Sequence, residues 1–316
     1  MRALVTGGAG FIGSNLVDAL AARGDRVVVV DDLSTGRREN LAGALDAGVV
    51  LHELDILDGP ALRALMAAER PDVVFHLAAQ IDVRRSARDP AADARINVEG
   101  TINVLAAARA AGSARVVYSS TGGAIYGEAD VIPTPEDAPV RPLSPYGAAK
   151  HAAEGYCALF ARAHGLSTVS LRYANVYGPR QDPLGEGGVI AIFCGKLVAG
   201  EAPTIYGDGR QTRDFVYVGD IVRANLLAAE RDLTGVVNIG RGVETSVLDL
   251  VEACRALRPG AAFAPTFAPA RPEEVRRSCL AAERAAAALG WAPTVDVEDG
   301  LRRTLAYVAD ATAPRR

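Results

Sequence analysis

Tyr146 and Lys150 stand four residues apart in "SPYGAAK". Residues i and i+4 share one face of a helix, so phenol and ammonium lie side by side. An ammonium a few ångströms from a phenol favours the phenolate. Each pKa unit lowered corresponds to about 1.4 kcal/mol of differential stabilisation. A phenol that ordinarily titrates at about 10 then becomes a usable base close to neutrality. The expected helix begins at Pro145, which suits a first turn, with Ser144 as its cap. The hydroxyls Ser119, Ser120 and Thr121 follow the apolar run "RVVY". They are therefore expected at the carboxyl end of a strand, where open α/β sheets place ligands. A hydroxyl there can hold the substrate oxygen whose proton Tyr146 removes. Taken alone, this tyrosine–lysine spacing describes many ordinary helix surfaces, so the surrounding motifs decide.

The first of them is "LVTGGAGFIGSNL", which sets Gly7, Gly10 and Gly13 between a strand and a helix. Small residues let the chain turn tightly, let a pyrophosphate approach the backbone and let the helix pack on the strand. The helix N-terminus then offers free N–H groups to the phosphates. A second strand ends at Asp31. A carboxylate there can accept from both ribose hydroxyls of an adenosine and repels a 2′-phosphate, which favours NAD over NADP. Arg37 and Arg38 just downstream soften that preference. Asp55 either meets the adenine amino group or caps its strand. In "HLAAQ", small Ala78 and Ala79 let a cofactor lie close to the backbone, while His76 reads as a packed strand residue.

These motifs need a scaffold, and the hydrophobic pattern supplies one. Near-continuous apolar runs recur at "RALVT", "RVVVVD", "VVLHELD", "DVVFHLAA", "ARVVYSS" and "STVSLRYANV", separated by helical stretches such as "INVEGTINVLAAARAAG". That alternation predicts an α/β, doubly wound parallel sheet, a Rossmann domain covered by helices on both faces. The dinucleotide domain is expected over 1–177, with 214–241 returning to it. A smaller α/β substrate domain is expected over 178–213 and 242–316. The chain has 316 residues, 49% hydrophobic and 23% charged, with a formal net charge of -4. No basic block appears, so nucleic acid is not an expected partner. Cys157, Cys194, Cys254 and Cys279 form no C-x-x-C pair, and the four histidines are scattered, so neither a disulfide framework nor a metal site is expected. The strand-like "MRALVTGG" leaves no room for a signal peptide, and no apolar run approaches the ~20 residues of a membrane span. A cytoplasmic location is expected.

The set "TGGAGFIG", Asp31, "HLAAQ", "INVEGT", "SSTGGAIYG", "SPYGAAK" and "LRYANVYGP" resembles the extended short-chain dehydrogenase/reductase superfamily, in order and across nearly the whole chain. Within it the chain most resembles bacterial UDP-hexose 4-epimerases of the UDP-glucose 4-epimerase type. The resemblance implies that Tyr146 takes the proton from the sugar 4-hydroxyl as hydride leaves carbon 4 for NAD. The 4-keto sugar then turns, and hydride returns to its other face. It implies NAD contacts from Gly7, Gly10, Phe11, Ile12, Gly13, Asp31, Asp32, Asp55, Ile56, Leu77, Ala78, Ala79, Gln80, Tyr146, Lys150 and Tyr173. Thr121 matches the catalytic hydroxyl when counted from the strand, with Ser120 as a second candidate. Asn97 matches a position near the active-site helix and reads equally as a helix-bend residue. For the UDP-sugar, the resemblance points to Thr121, Tyr146, Asn175, Gly188, Val189, Thr204, Ile205, Tyr206, Arg213, Arg271, Glu274 and Ser278. Arg213 and Arg271 would hold the diphosphate, Glu274 the uridine ribose. Ser278 would line the pocket beside carbon 2. A tyrosine at that position leaves room only for a hydroxyl; serine leaves space for an N-acetyl group. A homodimer through helices near 91–112 and 144–164 is also implied.

Rival activities on the same scaffold leave their own marks. Sugar-nucleotide dehydratases follow the threonine with acids, and UDP-glucuronate decarboxylases carry a glutamate there; here Gly122 and Gly123 follow Thr121. Uronate epimerases carry an arginine after "GPRQ" to meet the sugar carboxylate; here the residue is Asp182, which points to a neutral sugar. A net reductase would release NADP(H), and Asp31 argues against that. A non-catalytic dinucleotide-sensing protein would have no need of the Tyr146–Lys150 pair.

Overall fold

A computed structural model gives the fold, and residues 1–183, 188–260, 263–270 and 275–312 are described. The strands in chain order are β1 (Arg2–Thr6), β2 (Arg26–Asp31), β3 (Val50–Glu53), β4 (Val73–His76), β5 (Arg115–Thr121), β6 (Ser167–Tyr173), β7 (Asn175–Tyr177), β8 (Thr204–Tyr206), β9 (Thr212–Tyr217), β10 (Gly235–Ile239), β11 (Glu244–Ser246), β12 (Thr266–Ala268) and β13 (Arg277–Ser278). Seven of them make one parallel sheet in the order β3-β2-β1-β4-β5-β6-β10. The order reverses between β1 and β4. That reversal opens a crevice at the carboxyl ends of the strands, the place where doubly wound sheets bind ligands.

The apolar runs are continuous because this sheet is buried on both faces. Val27 and Val29 pack into one core with Leu16, Val17, Leu20 and Ile221. Val28 and Val30, pointing the other way, pack with Leu62, Met66, Val104 and Leu105. The helices Phe11–Ala22 and Val218–Glu230 cover the first face. Gly59–Glu69, Gly100–Ala111 and Pro145–His164 cover the second. A third core, around Ile190, Phe193, Ile205, Leu250 and Val251, lies under the helices Val189–Ala199, Val247–Leu257 and Val297–Thr312. It sits beside a small sheet in which β9 pairs with β7, β11 and β13, and beside the β8–β12 pair.

The expected return of the chain to the main sheet is present as the helix Val218–Glu230 and strand β10. Residues 214–217, expected with that return, instead belong to β9 and the smaller sheet. No helix among the described residues is long and apolar enough to cross a membrane.

Candidate active site

The dinucleotide cradle is built where β1 ends. Gly7 has φ +69°, a left-handed conformation that disfavours a side chain, and a Cβ there would lie 2.6 Å from Ala78 N. A Cβ on Gly13 would meet Gly7 O at 2.1 Å, so this glycine lets helix and loop touch. Gly10 caps the helix Phe11–Ala22 with backbone alone: no side chain accepts from its first turn, and that turn carries no acidic residue. An uncapped N-terminus without a competing carboxylate fits a pyrophosphate. Leu77 and Ala78 close the cradle from the end of β4, where Ala78 N reaches the Thr6 hydroxyl at 3.3 Å.

Asp31 ends β2 and is buried. Its Oδ2 accepts from Ala9 N and its Oδ1 from Leu33 N, both at 2.9 Å. Burial raises its pKa, and the two backbone N–H bonds oppose that. Asp32 is occupied locally by the amide and hydroxyl of Ser34. Asp55 Oδ1 accepts from Leu57 N, which is the strand-end turn, while Ile56 is packed against Gly100. Arg37 pairs with Asp182 across 3.4 Å. Asp182 thus reaches the loop that follows Asp31.

At the carboxyl end of β5, adjacent residues point opposite ways. Ser120 is buried and donates its hydroxyl to Glu154 Oε1 at 2.6 Å. Thr121 lies by the phenol of Tyr146 and lowers its pKa. Of the two candidate hydroxyls, Thr121 is the one set against Tyr146. The helix that carries Tyr146 begins as expected: Pro145 occupies its first turn and Ser144 Oγ accepts from Gly147 N at 3.2 Å.

The electrostatics of the pair differ from the sequence expectation. Burial pushes Tyr146 up to about 12, the Thr121 hydroxyl opposes this, and the Asp93 carboxylate adds to it. Burial likewise pulls Lys150 down to about 8. Its Nζ lies 4.5 Å from the centroid of the Tyr118 ring. The reason is desolvation, which disfavours phenolate and ammonium alike. Helical spacing reports adjacency and says nothing of depth.

Behind the pair lie two carboxylates, Glu154 and Asp93, that the motifs did not single out, beside Asn97 and His76, which they did. Glu154, one turn beyond Lys150, forms a buried two-pronged ion pair with Arg172 at 2.8 and 2.7 Å. Asn97 sits in a π-helical stretch, Arg95–Glu99, and brackets Gln80 with both ends of its amide. It also donates to Asp93 at 3.1 Å. Spacing offered a signal for both: Glu154 follows Lys150, and Asp93 precedes Asn97, by one turn on the same face. His76 is a packed residue, held between Thr6 and Thr101.

The remaining expected residues are spread over several elements. Asn175, in β7, has a buried Oδ1 with no partner and faces Gly123, whose Cβ would stand 3.4 Å from it. Gly188 starts the helix Val189–Ala199 without a side-chain cap, a second open N-terminus. Arg213 lies in β9 in register with Ser278 of β13 and Thr245 of β11. Tyr173 is buried and donates to Asn225 at 2.9 Å. Ile205 is buried in the third core, which leaves only its backbone for a ligand; Thr204 and Tyr206 flank it on the exposed face. Arg271 and Glu274 lie outside the described residues. Among the described residues no cluster of histidines, cysteines and acids could hold a metal.

Comparison with known proteins places this geometry. The model of the NAD dependent epimerase/dehydratase family matches residues 3–240. The chain is 48% identical over 309 residues to a UDP-glucose 4-epimerase of Mycolicibacterium smegmatis, covering 97% of this chain and 98% of that one. It superposes on the UDP-glucose 4-epimerase of Thermotoga maritima, solved with UDP-glucose, with a TM-score of 0.95 at 46% identity over 99% and 100% of the chains. With the UDP-glucose 4-epimerase of Thermus thermophilus, solved with NAD, the TM-score is 0.92 at 42% identity over 99% and 100%. A glycine cradle at the switch point, an acid ending β2 and a tyrosine–lysine helix beside β5 thus occur together in a chain that belongs to the NAD dependent epimerase/dehydratase family.

Proposed function

We propose that this chain interconverts a UDP-hexose and its carbon-4 epimer, with NAD as a resident cofactor. The observation that carries the reading is Tyr146, set by Thr121 at the carboxyl end of β5 and sharing a helix face with Lys150. Tyr146 removes the proton of the sugar 4-hydroxyl and returns it to the inverted alcohol; Thr121 holds that oxygen in place. Bound in the cradle, the nicotinamide accepts and gives back hydride and contributes the positive charge that lowers the phenol. The N–H groups at Gly10–Gly13 receive the pyrophosphate and Asp31 the adenosine ribose. Gly122 and Gly123 leave no acid to protonate a leaving hydroxyl, and a side chain at Gly122 would come within 2.4 Å of Leu280. Dehydration is disfavoured accordingly.

The second group of elements, around β7, β9 and β13, takes the UDP moiety in this reading. Asn175 brings an unsatisfied buried oxygen, the open N-terminus at Gly188 suits a phosphate, and Arg213 offers a planar fork. The division into a dinucleotide part and a substrate part belongs to the same proposal, as does a cytoplasmic location.

The decisive measurement is a panel of UDP-sugars followed by carbon-4 stereochemistry. UDP-glucose is expected to reach equilibrium with UDP-galactose without NADH accumulating in proportion. Stoichiometric NADH release would make the protein a dehydrogenase. Because Ser278 stands beside Arg213, UDP-GlcNAc is expected to turn over as well. Ser278→Tyr should cut its kcat/KM roughly 10-fold or more while sparing UDP-glucose, since removing a steric wall is what admits the larger group. An unchanged ratio would remove Ser278 as the gate.

A homodimer completes the proposal. The helix Pro145–His164 exposes Ala152, Tyr156, Leu159 and Ala163, a single stripe at four- and three-residue spacing, with Leu159 43% exposed. Leu159→Glu is expected to shift the protein toward monomer in sedimentation; an unchanged sedimentation coefficient in a monomeric wild type would dismiss the dimer.

A further inference from the structure

Asp93 is 1% exposed and sits on the short helix Pro90–Ala94, which packs against the helix bearing Tyr146 and Lys150. Its Oδ1 accepts from Gln80 Nε2 at 2.7 Å and Asn97 Nδ2 at 3.1 Å. Its Oδ2 is buried and has no hydrogen-bond partner. The amides fix the carboxylate without neutralising it; burial raises its pKa, and the two hydrogen bonds and the charge of Lys150 oppose that. A buried oxygen left unsatisfied in this way is costly, so its retention at an active site calls for a reason.

The neighbours supply one. Lys150 is buried among four other titratable side chains besides Asp93 and Tyr146. Glu154, on its own helix, is already matched by Arg172. Cys157 has its thiol pushed up to about 12 by burial and stays protonated. His76, in β4, is pushed down to about 3 and stays neutral. The Tyr118 ring contributes only its face. Arg85, on the helix Val83–Arg88, also acts on Asp93 from a distance. Asp93 is therefore the carboxylate near Lys150 that no cation touches, among the described residues.

We propose that Asp93 is a positioning residue, whose unmatched negative charge keeps the buried Lys150 an ammonium beside Tyr146. Burial withdraws most of the water that would stabilise that charge, and the fixed carboxylate makes up part of the loss. The same charge holds the Tyr146 phenol in its protonated form to higher pH. Asp93 thus lifts both groups together and locates the pH window of the reaction. Gln80 and Asn97 serve by aiming it, which gives the π-helical turn at Asn97 a function. The inference rests on the epimerase reading for its consequence in catalysis, though its electrostatics do not depend on the sugar.

Asp93→Asn keeps the shape and removes the charge. Both limbs of the kcat/KM profile are expected to move to lower pH, by about one unit. A structural role alone would lower the rate at every pH and leave the limbs where they are; that outcome overturns the proposal. The tyrosinate absorbance of Tyr146, taken as the difference between Asp93→Asn and Asp93→Asn/Tyr146→Phe, is expected to titrate earlier than in the wild-type background. An unshifted titration overturns the proposal equally. If the variant fails to fold, the wild type decides: the carbon-13 shift of the Asp93 carboxyl should report an ionised group across the active pH range, and a protonated one there ends the idea. Should the wild type prove inactive on UDP-sugars while the Tyr146 titration moves, the epimerase reading fails and the role of Asp93 stands.

Discussion

Tyr146→Phe is expected to fold, to bind NAD and to lose at least ~100-fold in turnover of UDP-glucose, the usual cost of removing a general acid–base. The side chain is half-buried, with Thr121 by its phenol. Phenylalanine keeps the ring and loses only the hydroxyl, a change of about 1 kcal/mol at most. The melting temperature should therefore move by only a few degrees, which separates lost chemistry from lost structure. The loss should fall on kcat rather than on KM, because the proton moves in the transition state. Raising the pH should not rescue the variant, since phenylalanine has no hydroxyl to ionise. Burial raises the phenol and the nicotinamide charge opposes it, so the wild type should gain activity as pH rises until Lys150, near 8, gives up its proton. Near-normal turnover in Tyr146→Phe would remove the tyrosine from its role.

What could be read from the chain beforehand follows from which contacts are local. The glycine loop, Ser144 and Pro145 act within a few residues of themselves, and their spacing carried their geometry. The parallel sheet was legible because strands buried on both faces must be apolar throughout, as Val27 to Val30 are. The choice between Ser120 and Thr121 was not legible. Two hydroxyls in succession on a strand face opposite sides, and only the packing of β5 tells which side holds Tyr146. Nor was the partner of Asp182: Arg37 lies 145 residues away, and nothing local announces it. Lys150 shows the same limit in energetic form. Its neighbour was evident, but the depth that shifts both groups in opposite senses from the expectation is a property of the whole core. Ile205 marks a further case, since a strand that borders a site must turn alternate side chains into the core behind it.

Arg172→Met is expected to be the most destabilising single change outside the hydrophobic cores. Arg172 and Glu154 are both nearly inaccessible, and the guanidinium gives the carboxylate two bonds at 2.8 and 2.7 Å. It also donates to Tyr126 at 2.7 Å, whose hydroxyl in turn donates to Asn238. Strands β5, β6 and β10 and the Tyr146 helix are thus tied through one cation. Removing it strands a buried carboxylate, at a cost of about 3–5 kcal/mol. For a chain of this size that corresponds to a fall of roughly 5–15 °C in melting temperature. The pH dependence gives the effect a signature. Burial raises the Glu154 pKa, but the bonds and charge of Arg172 outweigh it, and the net shift is downward. A group depressed in the folded state contributes stability that is present above its unfolded value and fades as pH falls through the folded one. Without Arg172, burial dominates and the folded value rises, so Glu154 takes a proton instead of standing unpaired. The gap between wild type and variant should therefore be widest near neutrality and should narrow as pH falls through and below the usual glutamate range, about 4. The double variant Glu154→Gln/Arg172→Met should recover part of the loss, because no uncompensated charge remains. If Arg172→Met melts with the wild type at neutral pH, or if the gap is the same at every pH, the ion pair does not hold the floor of the site together. Because Ser120 hangs on Glu154 and Thr121 follows it in β5, the same loss should reach the reaction: the surviving folded fraction is expected to position Thr121 less firmly and to turn over more slowly than its melting curve alone would explain.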